Sequence, residues 1–211
     1  MEDLAPRERI LHAAIVLFAR HGFTGTGLRE LASIAGVNLA MINYFFGSKM
    51  GLLKEILDGF FEKYLAIATR ELRGSASMST KLSRFIYSAV CYFESEQDVL
   101  LVAITELPHD DPEIIEHKAN WARQLVKLLE QEICKPLAEE TGRNIPGTCI
   151  GPMLTSLMAS RFLFSPVMQQ VRKSDEDPVD IASYVEIITA LFLQGLAAQE
   201  EKNCKSISTP T

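Results

Sequence analysis

The sequence has few features of an enzyme or of a disulfide-bonded protein. Its 211 residues include four cysteines, none of them in a Cys-x-x-Cys pair, and this scattered usage indicates a reducing, cytoplasmic environment. A P-loop, a glycine-rich dinucleotide turn, a Gly-x-Ser-x-Gly elbow and a His-Glu-x-x-His pair are all lacking. We therefore expect neither catalytic activity nor a bound cofactor.

Signals for export or membrane insertion are lacking as well. The first nine residues mix acidic and basic side chains and do not show the basic-then-apolar order of a secretory signal. The uncharged run between Arg143 and Arg161 is interrupted by Pro146 and Pro152, and it falls short of the about 20 apolar residues that a membrane span needs. We expect no association with a membrane.

Charge is distributed unevenly along the chain. The whole sequence carries 21 basic and 27 acidic side chains, and its net charge of −6 argues against a general affinity for nucleic acid or anionic lipid. Residues 1–73 contain 9 Lys/Arg and 8 Asp/Glu, whereas residues 74–211 contain 12 and 19. The acidity therefore belongs to the C-terminal two-thirds, and the N-terminal third is close to neutral.

Apolar residues recur at steps of three and four along almost the whole chain, which is the spacing of α-helices. We predict an all-α protein of about nine helices, with a compact three-helix head in residues 1–50 and a larger helical body in residues 51–211. The predicted helices cover residues 6–21, 28–34, 39–46, 49–72, 80–95, 97–107, 112–140, 147–164 and 178–200, and residues 166–172 can form a further short piece. A Gly/Ser-rich loop at 74–79 separates the fourth helix from the later ones.

Capping residues mark the ends of several predicted helices. Pro6 suits the first turn of the first helix, and Gly22 suits its C-terminal end. Asn38 and Ser48 are the expected N-caps of the third and fourth helices. The acidic run at 174–178 suits the positive N-terminus of the last helix.

Residues 26–46 have the spacing of a helix-turn-helix. Gly36 tolerates the positive φ of a tight turn between two short helices. Ile42 and Phe46 are four residues apart and share one face, so the remaining side chains of the second helix point elsewhere. Such a helix fits a major groove about 12 Å wide. Ordinary helical hairpins have the same geometry, so spacing alone leaves both interpretations open.

A series of landmark residues runs in fixed order through residues 9–56. They are Ile10, Leu11, Ala13, Ala14, Leu17, Phe18, Gly22, Phe23, Thr26, Arg29, Glu30, Leu31, Ala32, Ala35, Gly36, Val37, Tyr44, Phe46, Ser48, Lys49, Leu52 and Leu53. At these offsets the segment resembles the N-terminal domain of the tetracycline-repressor (TetR) family of transcriptional regulators. The resemblance covers about a quarter of the chain, and the body is supported only by its length and helical pattern.

The resemblance implies roles for individual residues of the head. The implied DNA-contacting positions are Thr26, Arg29, Leu39, Ala40, Met41, Asn43, Tyr44 and Lys49. Tyr44 and Lys49 hold positions that meet phosphates, whereas Asn43 is able to pair with adenine in bidentate fashion, worth about 1–3 kcal/mol of discrimination. Two residues depart from the family pattern, because Phe45 replaces a frequent His and Gly27 replaces a Ser/Thr cap. Both departures remove polar groups that would bind phosphate.

One short recognition helix reads too few bases for specificity, so we expect two copies to act together. Residues 148–164 and 178–199 of each subunit are predicted to form a four-helix interface, matching a palindromic operator with half-sites about 34–36 Å or more apart. The expected interface residues are Ser156, Ala159, Ser160, Tyr184, Ile188, Leu191, Phe192 and Gly195. In the alternative interpretation both helices belong to the core of one subunit.

The resemblance further implies an effector cavity enclosed by residues 80–140 and the long fourth helix. Candidate lining residues are Tyr64, Phe85, Tyr92, Trp121, Gln124, Met153, Met158 and Phe162. Aromatic and methionine residues at helical spacing belong to cores more often than to ligand sites. A mostly apolar cavity favours a hydrophobic small molecule, and the acidic surroundings would tolerate a cationic one.

A cluster of potential metal ligands follows the sixth predicted helix. It comprises His109, Asp110, Asp111, Glu113 and His117. Only Glu113 and His117 share a helical face, and the two flanking prolines are typical of a loop that leads into a helix cap. We therefore expect no metal site.

Together these features predict a ligand-responsive, DNA-binding transcriptional regulator, with a repressor that acts as a homodimer as the leading form. Two alternatives stay open. The same fold can serve an activator, and a helical body can belong to a small-molecule carrier that does not bind DNA.

Overall fold

The computed structural model describes residues 4–104, 111–142, 144–172 and 179–197, and within them it contains helices and no strand. The all-α prediction is confirmed. The helices are α1 (Pro6–Gly25), α2 (Leu28–Ala35), α3 (Leu39–Phe46), α4 (Lys49–Leu72), α5 (Met78–Ser95), α6 (Gln97–Ile104), α7 (Pro112–Leu129), α8 (Lys135–Thr141), α9 (Gly147–Leu163), α10 (Ser165–Val171) and α11 (Ile181–Ala197).

Helices α7 and α8 form one continuous rod, because the π-helical turn Glu130–Cys134 joins them without a break. Counted in this way, the described residues contain ten helices where about nine were predicted. The additional helix is α10, and it corresponds to residues 166–172, for which a further short helix was predicted as possible. None of the described helices combines the length and the apolarity needed to cross a bilayer.

The head is built by capping and a small apolar core. The side chains of Asn38 and Ser48 accept hydrogen bonds from Met41 N and Gly51 N, each at 3.0 Å, so both predicted N-caps are confirmed. Gly36 has a φ of 62° in the turn between α2 and α3, as expected. At Gly22 the φ of 73° kinks α1, which resumes for one more turn before it ends.

Helix α4 spans the head and the body. Its 24 residues correspond to about 36 Å of rise, and its bounds are those predicted. Near its start Leu52 and Leu53 are fully buried, and near its end Ala68 and Leu72 are fully buried. One continuous apolar core therefore runs from α1–α3 into the body, and α1 also packs directly against α6.

The body packs around an aromatic cluster, defined here as Phe60, Tyr64, Phe85, Tyr92, Phe93 and Phe162. Phe93 of α5 lies at its centre, with ring centroids 5.4–6.4 Å from those of Tyr64, Phe60 and Phe162. These rings join α4, α5 and α9. Aromatic pairs at such separations add stability beyond the burial of their area.

The last helix begins later than predicted. Helix α11 starts at Ile181, and the carboxylate of Asp180 accepts hydrogen bonds from the backbone N–H and the hydroxyl of Ser183. These hydrogen bonds lower the pKa of Asp180. The acidic run at 174–178 lies outside the described residues.

Two glycines of α4 lead to a prediction with an internal control. A Cβ atom on Gly51 would overlap the backbone oxygen of Phe46, whereas a Cβ atom on Gly59 would meet open space. We expect Gly51→Ala to lower the free energy of unfolding by about 1–3 kcal/mol through overpacking. Gly59→Ala should raise it by up to about 1 kcal/mol, since alanine is the better helix former.

Urea denaturation followed by circular dichroism measures both changes. Equal effects of the two substitutions would contradict the close approach of α3 to the start of α4.

Candidate nucleic-acid interface and ligand cavity

Helix α3 separates buried from exposed side chains as a recognition helix requires. Ile42 is fully buried and Phe46 nearly so, and both face the core of the head. The predicted contact residues Leu39, Ala40, Asn43 and Tyr44 are exposed, while Met41 is half-buried against the core. Tyr44 is 83 % exposed, which is far more than a core aromatic would be.

The predicted DNA-contacting residues outside α3, which are Thr26, Arg29 and Lys49, differ in exposure and in their contacts. Arg29 is exposed on the first turn of α2 and has no hydrogen-bond or ion-pair partner among the described residues. The Nζ atom of Lys49 lies 4.5 Å from the ring centroid of Phe23, and partial burial lowers the pKa of Lys49. Thr26 is only 2 % exposed, and its hydroxyl donates to the carbonyl oxygen of Gly22 at 2.8 Å. Thr26 therefore holds the α1–α2 junction.

The two departures from the family pattern have local consequences. The Phe45 ring packs edge-on against Tyr44 with the centroids 5.1 Å apart, so it supports that exposed ring instead of offering a polar group. Gly27 precedes α2 without a side-chain hydrogen bond to the first turn. The first amides of α2 thus lack a side-chain cap, and helix N-termini of this kind attract anions.

A cavity of about 440 Å³ lies in the body, between α4, α6, α7 and α9. Most of its lining is apolar, and the lining residues include Phe61, Tyr64, Leu65, Ala103, Ile104, Ile115, Lys118, Trp121, Leu125, Val126, Gly151, Pro152, Thr155, Ser156 and Ala159. Cavities of about 300–1,000 Å³ with such walls are typical of small-molecule sites.

Two of the eight predicted lining residues, Tyr64 and Trp121, line this cavity. Phe85, Tyr92 and Phe162 belong to the aromatic cluster, and Met158 is fully buried in the core. Gln124 and Met153 are exposed and lie outside the lining. The sequence reasoning missed Phe61 and Leu65, although they lie four residues apart on the same helix as Tyr64.

Polar groups at the cavity wall are paired across helices. The hydroxyl of Tyr64 on α4 lies 3.0 Å from the Thr155 hydroxyl on α9, and burial raises the pKa of Tyr64. The Trp121 indole on α7 donates to Asp58 on α4 at 2.7 Å. His117 Nε2 lies 2.7 Å from the same carboxylate oxygen, without the alignment of a hydrogen bond. Asp58 thereby links α4 to the cavity wall.

The predicted interface helices α9 and α11 pack on each other within the subunit. The Tyr184 hydroxyl donates to Leu157 O at 2.7 Å and accepts from the Arg161 amide at 3.1 Å, and Ser160 Oγ lies 2.9 Å from it. Ala159, Ile188 and Phe192 are buried in the subunit core, whereas Ser156, Leu191 and Gly195 are exposed. The predicted interface residues therefore divide between an inner and an outer face.

The described members of the potential metal cluster have other partners. Asp111 caps α7 by accepting from the amides of Glu113 and Ile114, as the helix-cap prediction stated. Glu113 pairs with Lys54, and His117 contacts Asp58. Within the described ranges no three His, Cys, Asp or Glu side chains group as metal ligands, and the predicted members His109 and Asp110 lie outside those ranges.

Residues 10–56 match the family model described as bacterial regulatory proteins of the tetR family. A relative that matches over more of the chain is the probable HTH-type transcriptional regulator YttP of Bacillus subtilis (strain 168). It is 27% identical over 175 residues, which cover 82% of this chain and 68% of YttP. The head of this chain therefore matches the N-terminal domain of the TetR family, and the matches together support a TetR-family regulator. The chain is a DNA-binding transcriptional regulator.

Solved structures of other transcriptional regulators and repressors share the fold of this regulator over nearly its whole length. The transcriptional regulator FadR from Bacillus subtilis, in complex with stearoyl-CoA, superimposes with a TM-score of 0.70 at 15% identity, covering 89% of this chain and 98% of FadR. NalD, the secondary repressor of the MexAB-OprM multidrug efflux pump in Pseudomonas aeruginosa, gives a TM-score of 0.67 at 19% identity. The superposition covers 90% of this chain and 94% of NalD. At these identities the likeness shows the fold alone.

The Asp58–Trp121 hydrogen bond leads to a second prediction. Asp58→Ala leaves the part-buried Trp121 indole N–H without its acceptor, and we expect the free energy of unfolding to fall by about 1–2 kcal/mol. Glu116→Gln is the matched control, because Glu116 pairs with Arg123 on the exposed face of α7. Removing such an exposed ion pair should leave the free energy of unfolding nearly unchanged.

The emission of Trp121, the only tryptophan in the sequence, reports the same contact. A spectrum that Asp58→Ala leaves unchanged, together with unchanged stability, would contradict the assigned hydrogen bond.

Proposed function

We propose that this regulator is a homodimeric repressor that occupies a palindromic operator and releases it when a small apolar effector fills the cavity. The observation that carries the proposal is the position of α4. Its first residue, Lys49, lies beside the recognition helix, and its residues Phe61, Tyr64 and Leu65 form one wall of the cavity. Any shift of that wall is transmitted to the head through one continuous helix.

The exposed side chains of α3 supply the DNA contacts. Asn43 reads a base edge, because its amide is able to donate and accept side by side. Tyr44 and Lys49 hold phosphates, which requires the ammonium of Lys49 to move from the Phe23 ring to the DNA backbone. Arg29 adds a cation at the start of α2, and Leu39, Ala40 and Met41 provide apolar contacts to thymine methyl groups. Thr26 acts indirectly, by holding the α1–α2 junction.

The effector acts through α4. Helix α4 is held to the head by the buried side chains of Leu52 and Leu53, and to the cavity wall by the Asp58–Trp121 hydrogen bond. A ligand that displaces Trp121 therefore acts directly on α4. Because the DNA-bound and ligand-bound conformers differ, each ligand weakens binding of the other by the same factor.

The dimer forms through the outer face of α11 and its neighbours. Ile187 and Leu191 are 52 % and 58 % exposed and lie four residues apart on α11, and α10 also carries exposed apolar side chains, Val167 and Val171. Large exposed apolar patches of this kind mark interaction surfaces. Ser156 and Gly195, which are small and exposed, allow close approach of the second subunit.

Repression is the direction that the likeness to NalD supports, since that protein is named as a repressor. The likeness to FadR, solved with stearoyl-CoA, supports an effector with a long apolar part. The regulator acts in the cytoplasm, where the chromosome lies, and by binding alone, without a chemical step. An activator with the same fold would also slow the migration of a DNA fragment in a gel, but it would raise transcription of the regulated gene.

Electrophoretic mobility shifts on the DNA upstream of the regulator's own gene test the DNA-binding surface. Lys49→Ala should weaken binding to every sequence and reduce the slope of log K against log salt by about one. Asn43→Ala should lower specificity at one base pair of each half-site by about 1–3 kcal/mol. Lys63→Ala is the control, because Lys63 is exposed on the body half of α4.

Failure to retard any fragment at any salt concentration would favour the carrier alternative. Equal losses on all sequences for Asn43→Ala would remove Asn43 from base recognition but leave the DNA-binding surface in place. Reporter transcription that is low when the regulator gene is intact and rises when the gene is deleted indicates a repressor. The opposite change indicates an activator.

Leu191→Glu tests the dimer. A charge at the centre of the outer face of α11 should weaken association by at least about 2 kcal/mol, roughly thirtyfold, without unfolding the subunit. Ile34→Glu serves as control, since Ile34 is an exposed apolar residue of the head. Light scattering after gel filtration gives the mass, and a dimer unaffected by Leu191→Glu would exclude this face as the interface.

A further inference from the structure

We propose that the effector is an amphipathic organic anion, whose apolar body fills the cavity and whose acidic group pairs with Lys118. This inference rests on the proposed function, because it assigns a chemical class to the ligand of the same cavity. It also reverses the expectation, drawn from the acidity of the body, that a cationic ligand would be tolerated.

The charge at the cavity wall has one sign. Among the described residues that line the cavity, Lys118 is the only one with a charged side chain, and no carboxylate is present. Three acidic residues of α7 and α4 are engaged by other partners, and the nearest of them along the sequence, Glu116, pairs with Arg123. Glu113 pairs with Lys54 at 2.5 Å, and Asp58 accepts from Trp121 and contacts His117.

Lys118 itself has no counter-ion. It forms no hydrogen bond or ion pair within the described part of the chain, although it is half-buried. Burial lowers the pKa of Lys118, which reflects the cost of an ammonium group in apolar surroundings. A bound anion would offset that cost, so the free regulator contains a cation whose environment improves when a negatively charged ligand enters.

The rest of the lining is suited to a hydrocarbon. Phe61, Leu65 and Leu125 present only carbon atoms, and the hydroxyls of Tyr64 and Thr155 satisfy each other. Ile115 lies three residues before Lys118 on α7 and is 49 % exposed, so this end of the cavity reaches the solvent. A ligand with one acidic end and an apolar remainder matches this polarity.

Three ten-carbon probes that share a chain and differ in charge test the proposal. The full-length regulator is titrated with decanoate, decanol and decyltrimethylammonium below their micelle concentrations, and binding is followed by calorimetry and by Trp121 fluorescence. We expect decanoate to bind at least about tenfold more tightly than decanol, as a charge-assisted contact implies, and the cationic probe to bind most weakly.

Lys118→Met retains the length of the side chain and removes its charge. It should reduce the affinity for decanoate to that for decanol and leave decanol binding unchanged. Lys127→Met is the control, because Lys127 is exposed on the same helix and lies outside the lining. This control variant should keep the full preference for decanoate.

Each remaining outcome has a distinct meaning. Equal affinity of the wild-type regulator for decanoate and decanol, or stronger binding of the cationic probe, overturns the assignment of an anion and leaves the effector cavity intact. A preference that survives Lys118→Met overturns the role of Lys118. If none of the three probes binds, the effector cavity of the proposed function is itself overturned. The wild-type series decides the charge preference even if the variant does not fold.

Discussion

Helix α4 buries apolar side chains along its whole length, so a head and a body with separate tasks share one rigid element. Leu52 and Leu53 pack into the core of the head, while Ala68 and Leu72 pack into the body. Side chains in such a core are close-packed, so a displacement at one end cannot be absorbed locally. In the proposed function, this continuous helix connects the cavity beside Tyr64 to the recognition helix beside Lys49.

The electrostatics of the body show why net charge is a poor guide to a ligand. The C-terminal two-thirds are acidic overall, yet none of the acidic residues that the structure describes lines the cavity. Glu113 and Asp58 are each engaged by a neighbour, and Lys118 alone supplies charge to the described cavity wall. The field at a partly buried site depends on the nearest unscreened groups, whereas distant exposed charges are screened by salt.

Local signals in the sequence were reliable wherever the interaction is itself local. The caps at Asn38 and Ser48, the turn at Gly36 and the bounds of α4 follow from residues within four positions of each other. The cavity was much harder to predict, because its walls come from α4, α6, α7 and α9. Phe85, Tyr92 and Phe162 have the periodicity of lining residues, but the packing of α5 against α4 and α9 places them in the aromatic cluster of the core.

The sequence by itself determined the all-α class, the helix-turn-helix and the resemblance of the head to the TetR family, because these depend on residues that lie close together in the chain. Only the tertiary structure decided which side chains enclose the cavity, that Lys118 supplies its charge and that Asp58 joins α4 to Trp121. These arrangements join residues that lie up to 91 positions apart, as for Tyr64 and Thr155. Their proximity arises from how helices pack, and no single segment encodes it.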